Sequence, residues 1–265
     1  MGAAGLSRAI EEAVLSPGKR LRPLATLAAA GAARGSTGAA MDVAVAVEYV
    51  HAASLVLDDL PSMDDAARRR GRPALHLVHG VATAELTAVA LLARAFEIVA
   101  GSAKLSASAR LRATSELARA VGAAGCCGGQ AADLAAEPAA TGLDRLESIH
   151  ARKTGALFVA AVRGGALAGG ASEATISSLA AYARNLGLAF QITDDLLDLE
   201  GDPAAMGKDV ARDAHRANFA TILGPDSCRR LVDELLDASL AALRPLGRRA
   251  EVLSDLARVV RERRS

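Results

Sequence analysis

Apolar positions recur at helical spacing along most of the chain, and alternating runs bounded by turn residues are scarce, so the pattern predicts an all-α protein. A short first helix covers Leu6 to Leu15 and is broken by Ser16-Pro17-Gly18. A second runs from about Lys19 to Ala33, ended by Arg34-Gly35 and Gly38. From Met41 to Leu57, positions 43, 47, 50, 54–55 and 57 give the period of a buried helix, which stops near Pro61. Pro73 can open the next helix, to about Ala100. Further helices are predicted over 107–124, 128–136, 143–164, 173–200, 227–242 and 248–263. Gly201 to Asn218 differs: it is rich in Gly, Pro, Lys, Asp, Arg and His, and long for a connection, as in a lid. No solenoid repeat and no linker divides the chain, so residues 1–265 are expected to form a single domain.

Composition narrows the possible functions. With 51% apolar residues in 265, the chain can bury a sizeable core, which excludes general disorder. A formal net charge of +1 offers no global field for nucleic acid or an acidic membrane, so anion binding must come from local clusters. The longest uncharged apolar stretches, such as Leu24 to Ala33, fall short of the roughly 20 residues a spanning helix needs. Met1-Gly2-Ala3-Ala4 lacks the basic start of a secretory signal, and a cytoplasmic location is expected. Cys126, Cys127 and Cys228 form neither a disulfide framework nor a metal-ligand spacing, and are expected to be reduced.

Two acidic clusters change the picture. Asp58-Asp59-Leu60-Pro61-Ser62-Met63-Asp64-Asp65 follows the apolar run Ala52 to Leu57 directly, and Asp194-Asp195-Leu196-Leu197-Asp198 repeats the theme downstream. Carboxylates this close repel one another unless cations neutralise them. On a helix Asp194 and Asp198 lie about 40° apart on one face. Magnesium suits such donors, since it takes one or two carboxylates and fills its remaining positions with water and phosphate oxygens. The acids therefore imply a polyphosphate substrate. Cations to hold one stand at Gly18-Lys19-Arg20-Leu21-Arg22-Pro23, at Arg68-Arg69-Arg70-Gly71-Arg72-Pro73 and at Arg152-Lys153-Thr154-Gly155.

The run from Glu48-Tyr49-Val50-His51 through Asp58–Asp65 to Arg69-Arg70-Gly71-Arg72-Pro73 and His76 resembles the first aspartate-rich region of the trans-prenyltransferases. This is the isoprenyl diphosphate synthase, or polyprenyl synthetase, family, and the likeness is greatest to bacterial geranylgeranyl diphosphate synthases of carotenoid-type pathways. Gly18 to Pro23, Gly128-Gly129-Gln130 with Asp133, Lys153-Thr154-Gly155-Ala156-Leu157, and Phe190-Gln191 before Asp194–Asp198 are similar to family motifs in the same order.

The resemblance implies a helical bundle around a central cavity that condenses isopentenyl diphosphate with an allylic diphosphate. Lys19, Arg22, His51 and Arg70 would hold isopentenyl diphosphate, while Arg69, Lys153, Gln191 and Lys208 would hold the allylic partner. Asp58 and Asp64 would bind two magnesium ions and Asp194 a third, with Asp195 and Asp198 supporting and Asp59 in the same catalytic set. Thr154 and Gln191 would place oxygen dipoles near a developing carbocation. A homodimer is implied as well. Ala53 and Ser54 lie five and four positions before Asp58, where shorter-product members carry an aromatic; both being small, a C20 product is expected.

The chain departs from the family pattern at Pro17, at Ala74-Leu75 and at Arg216-Ala217-Asn218-Phe219, and its N-terminal part looks short by a helix. A C15 or longer (C25 and above) synthase and a non-catalytic regulatory subunit are the alternatives. Such subunits generally lose aspartates, and both clusters are intact here. A class I terpene cyclase would pair one aspartate-rich motif with an Asn/Ser/Glu-type motif, and none stands in the right place.

Overall fold

Small side chains let the helices of this protein approach closely, and the helices carry almost all of its regular structure. The computed structural model describes residues 2–137, 140–200 and 218–262. Helix α1 spans Gly2–Leu15, α2 Leu21–Ala32 and α3 Thr37–Asp58. After α3 the chain forms a two-stranded hairpin, with β1 Arg68–Arg69 antiparallel to β2 Arg72–Pro73. Then follow α4 Leu75–His79, α5 Val81–Ala100, α6 Ala107–Val121 and α7 Cys126–Leu134. Helix α8, Leu143–His150, continues through a π turn at Ala151–Gly155 into α9, Ala156–Ala168. Helix α10 covers Glu173–Glu200, α11 Phe219–Leu223 and α12 Pro225–Leu243, before a 3-10 segment, Arg244–Ala250, leads into α13, Glu251–Arg261.

The all-α expectation holds; α1 begins at Gly2, earlier than Leu6, and three further local corrections bear on the site. The helix expected from Pro73 to Ala100 is split at Gly80, whose φ of +84° is outside the helical region, and Pro73 lies in β2 instead of opening a helix. The hairpin itself was not anticipated. Its turn residues Arg70 and Gly71 both have positive φ, 52° and 77°, the signature of a type I′ turn. The helix expected over 143–164 runs on to Ala168 through the π turn. Residues 201–217 lie outside the described residues, and with them the expected lid, Lys208 and Arg216. The chain re-enters at Asn218, whose side chain accepts from Thr221 N–H (2.8 Å) while Thr221 Oγ1 accepts from Asn218 N–H (3.2 Å), a capping box that starts α11.

Helix α10 lies between α9 and α12, and its Tyr182 and Leu179 are fully buried. Tyr182 Oη donates to Leu253 O of α13 (2.7 Å), and Ser239 Oγ of α12 donates to Tyr182 O (3.1 Å). These bonds satisfy polar atoms that burial would otherwise leave costly. Among the described helices α3 is long and apolar enough, at 22 residues, to cross a bilayer on length and composition, which the uncharged runs had not suggested. It is a core helix. α2, α5 and α9 cover it, and it carries buried Glu48 along with His51 and Asp58.

Glu48, 8% exposed, forms an ion pair with Arg20, whose other nitrogen donates to Val14 O (2.9 Å) and Ser16 O (2.6 Å). One guanidinium therefore closes the end of α1 onto α3. Arg20→Ala leaves a buried carboxylate unpaired and should cost about 3 kcal/mol, lowering the thermal midpoint by about 10 °C. Adding Glu48→Gln should recover much of the loss in the same melts.

Candidate active site

Residues 58–66 curl back onto the end of α3. Asp64 N–H donates to Asp58 O (2.9 Å), Asp65 N–H to Leu60 O (2.9 Å) and Ala66 N–H to Asp59 O (3.2 Å). Carbonyls that a helix C-terminus leaves without partners are thereby satisfied, and Asp64 is returned to the neighbourhood of Asp58. Burial pushes the Asp58 carboxyl up to about 6; Lys153 and Arg69 oppose the shift, while Asp64 and Asp59 add to it. Asp59 points elsewhere. It is buried and takes two hydrogen bonds on Oδ1 from Arg69, that from Nε at 2.8 Å. The hairpin brings Arg69 back to Asp59, so in this arrangement the pair neutralises itself.

The second cluster is carried by α10. Asp194 and Asp198, one turn apart, are half-buried, while Asp195 is buried at 6% exposure. Burial pushes the Asp195 carboxyl up to about 6 against two hydrogen bonds, from Phe219 N–H (2.8 Å) and Gln191 Nε2 (2.9 Å). Gln191 Oε1 in turn accepts from Thr154 Oγ1 (2.8 Å).

Thr154 and Lys153 come from the π turn, a distortion often found at functional sites. Helix α7 crosses this turn at Gly129, where a Cβ would lie 2.3 Å from Lys153 N, so only glycine permits the contact. One turn further along α7, Asp133 Oδ2 receives Lys153 Nζ at 2.6 Å. Gly129, part of the Gly128-Gly129-Gln130 motif, is thus a close crossing that sets the height of Lys153.

The basic residues of the first motif meet the site from the other side. Arg22 Cζ lies 4.4 Å from the Phe158 ring centroid and 6.0 Å from that of Phe190, a cation held over aromatic faces. Burial, followed by Arg22, Arg70, Arg20 and Arg69, holds His51 well below its usual range, so its imidazole is neutral. Its Nε2 lies 3.4 Å from an Arg70 nitrogen. A guanidinium can only donate, which makes Nε2 the acceptor and puts the proton on Nδ1.

These elements enclose a cleft of about 270 Å³. Asp58 from α3 and Asp194 from α10 line it together, with the cations Arg22, Arg69, Arg70 and Lys153. His51, Ser54, Thr154 and Gln191 complete its polar wall. Of the other expected residues, Asp59, Asp64, Asp195 and Asp198 do not line it, and Lys19 is exposed between α1 and α2. Ser54 faces the cleft, whereas Ala53 is fully buried in a cluster with Ala84, Ala88 and Leu91 of α5. Phe158 and the Asp133–Lys153 pair carried no sequence expectation. A usable signal existed for the first: with four Phe and no Trp in the chain, each aromatic merits attention.

All three cysteines are free, as expected. Burial pushes Cys126 and Cys228 up to about 11, while Cys127 is exposed. At pH 8 a thiol reagent should label Cys127 first, with the other two slower by about a hundredfold, read by peptide mass mapping.

The geometry is that of an all-α isoprenyl synthase fold, acids from two helices and cations from several elements converging on one cleft. Residues 4–225 match the model of the polyprenyl synthetase family, and the chain belongs to that family. It is 41% identical over 237 residues to geranylgeranyl pyrophosphate synthase 9, chloroplastic, of Arabidopsis thaliana, covering 87% of this chain and 66% of that protein. It thus spans just under two thirds of that relative. Identity is 44% over 234 residues to the farnesyl diphosphate synthase of Escherichia coli, covering 86% and 78%. The geranyltransferase of Helicobacter pylori, solved with magnesium and isoprenyl diphosphate, superposes with a TM-score of 0.86 at 30% identity over 96% of this chain and 86% of that one.

Proposed function

We propose that this protein is a trans-prenyltransferase that adds isopentenyl diphosphate head-to-tail to an allylic diphosphate and releases all-trans geranylgeranyl diphosphate, C20. The observation that carries this reading is the meeting of Asp58 and Asp194, far apart in sequence, in one cleft lined by Arg22, Arg69, Arg70 and Lys153. The donor set fits magnesium. It is all oxygen, and burial with neighbouring carboxylates pushes Asp58 upward, a shift that a cation would reverse. Magnesium held by Asp58, Asp64, Asp194 and Asp198 would supply countercharge to a leaving diphosphate.

The chain's own groups account for the remaining steps. Lys153, steadied by Asp133, and Arg69 hold the allylic diphosphate, with Lys208 assigned to the same task. Arg22, Arg70, His51 and Lys19 hold isopentenyl diphosphate. The allylic carbon–oxygen bond breaks with its electron pair going to the diphosphate; the Thr154 and Gln191 oxygens lie along the cleft where the cation develops. The isopentenyl double bond attacks that carbon, and a proton then leaves to the diphosphate. A single domain and a homodimer belong to the same reading, the latter supported by Leu86 and Val89, exposed on α5. A C15 product is the second reading, favoured by the Escherichia coli relative. Incubation with magnesium, isopentenyl diphosphate and each of the C5, C10 and C15 primers, with products identified by mass, tests both. A dominant C20 product supports the first and a dominant C15 product the second, while no elongation from any primer removes them together.

A further inference from the structure

The second aspartate of the downstream cluster does not line the cleft. Asp195 is buried, and each of its oxygens already accepts a hydrogen bond: Oδ1 from Gln191 Nε2 (2.9 Å) and Oδ2 from the backbone N–H of Phe219 (2.8 Å). A carboxylate has no proton to give, so the Gln191 amide must turn its NH2 toward Asp195 and its oxygen the other way. That oxygen meets Thr154 Oγ1 at 2.8 Å. The threonine hydroxyl therefore has to donate to Gln191, which directs its proton away from the cleft and leaves its lone pairs for whatever the cleft holds. Thr154 and Gln191 line the cleft beside Asp58 and Asp194.

We propose that Asp195 is a positioning residue that sets the polarity of Thr154 through Gln191, so that the negative end of the hydroxyl dipole meets the positive charge developing on the allylic carbon. This inference rests on the prenyltransferase reading above and gives Asp195 a task distinct from metal support. Phe219 N–H, fixed at the start of α11 by the Asn218 capping box, makes the arrangement one-way. It demands an acceptor from Asp195 on that side, so a side chain with one acceptor and one donor can meet it in a single orientation only.

Asp195→Asn is the informative change for that reason. The asparagine oxygen stays on Phe219 N–H and its NH2 faces Gln191. Gln191 then turns its oxygen toward residue 195 and its NH2 toward Thr154, whose hydroxyl becomes the acceptor and aims its proton at the cleft. The fold keeps every hydrogen bond while the dipole reverses. A reversed dipole at a developing charge should cost about 10²-fold in kcat, the scale of one preorganised dipole. KM for both substrates and the midpoint of magnesium dependence should stay within about threefold, since neither diphosphate contacts nor metal ligands change.

Thr154→Val should lower kcat by a similar factor, and Thr154→Ser should restore it to within about threefold. In the double variant Asp195→Asn/Thr154→Val the losses should not multiply: about 10²-fold overall instead of 10⁴-fold, because one group acts through the other. Multiplying losses overturn the proposal. So does a shifted magnesium midpoint with kcat retained, which would make Asp195 a metal ligand. A thermal midpoint lowered enough to unfold Asp195→Asn at the assay temperature also overturns it, because Asp195 would then be only a structural tie between α10 and α11. Wild-type protein is assayed first. Absence of elongation there removes the functional reading itself, whereas normal elongation with multiplying losses removes this inference alone.

Discussion

Asp58→Ala and Asp194→Ala should each lower turnover by at least about 10³-fold, and Asp58→Ala should do so without lowering the thermal midpoint of the ligand-free protein. The two halves of this expectation have one cause. Burial and the neighbouring Asp64 and Asp59 disfavour the charge on Asp58, so in the absence of a cation the carboxylate is held at a cost to the fold. Removing it relieves repulsion and withdraws the group that would recruit countercharge for the diphosphate. Steady-state rates and melts on the same samples check both parts. Activity that falls only in step with a falling midpoint would point to a structural aspartate.

Product length should respond to the turn of α3 just before the acids. Ser54 faces the cleft one turn before Asp58, so on the proposed C20 reading Ser54→Phe should shorten the main product to C15 by filling space that the growing chain needs. Ala53 is fully buried against Ala84, Ala88 and Leu91, and Ala53→Tyr should shorten the product only by forcing the α3–α5 contact, with about 1–3 kcal/mol of lost stability. Mass identification of products, with melts alongside, separates the two routes. An unchanged product profile in both variants would place the floor of the cavity on another helix.

Sequence made the frame of this fold legible where periodicity was long. Helix α10 is predicted over 173–200 and found at Glu173–Glu200, because its apolar residues recur over many turns. Segments without room for a period were opaque. Strands of two residues at Arg68–Arg69 and Arg72–Pro73 show no alternation, and nothing in the predicted helix from Pro73 to Ala100 marks Gly80, whose positive φ divides α4 from α5. The π turn at Ala151–Gly155 was hidden because it continues the helices on either side.

The chemistry divides along the same line. Spacing and flanking residues singled out both acidic clusters, but they could not say which carboxylate of each would be captured by the protein itself. Asp59 is taken by Arg69 once the hairpin folds back, and Asp195 by Gln191 and Phe219 N–H once α11 packs on α10. Lys153 and Asp133 are twenty residues apart and meet only because Gly129 lets α7 touch the π turn. Such partnerships are made by tertiary contacts, which leave no periodic trace.

The claim that Asp58 and Asp194 are the two jaws of one diphosphate site is tested most directly by calorimetric titration with inorganic diphosphate. Wild-type protein should bind it only when magnesium is present, and Asp58→Ala and Asp194→Ala should each lose that magnesium-dependent binding. Undiminished magnesium-dependent binding in both variants would contradict the account.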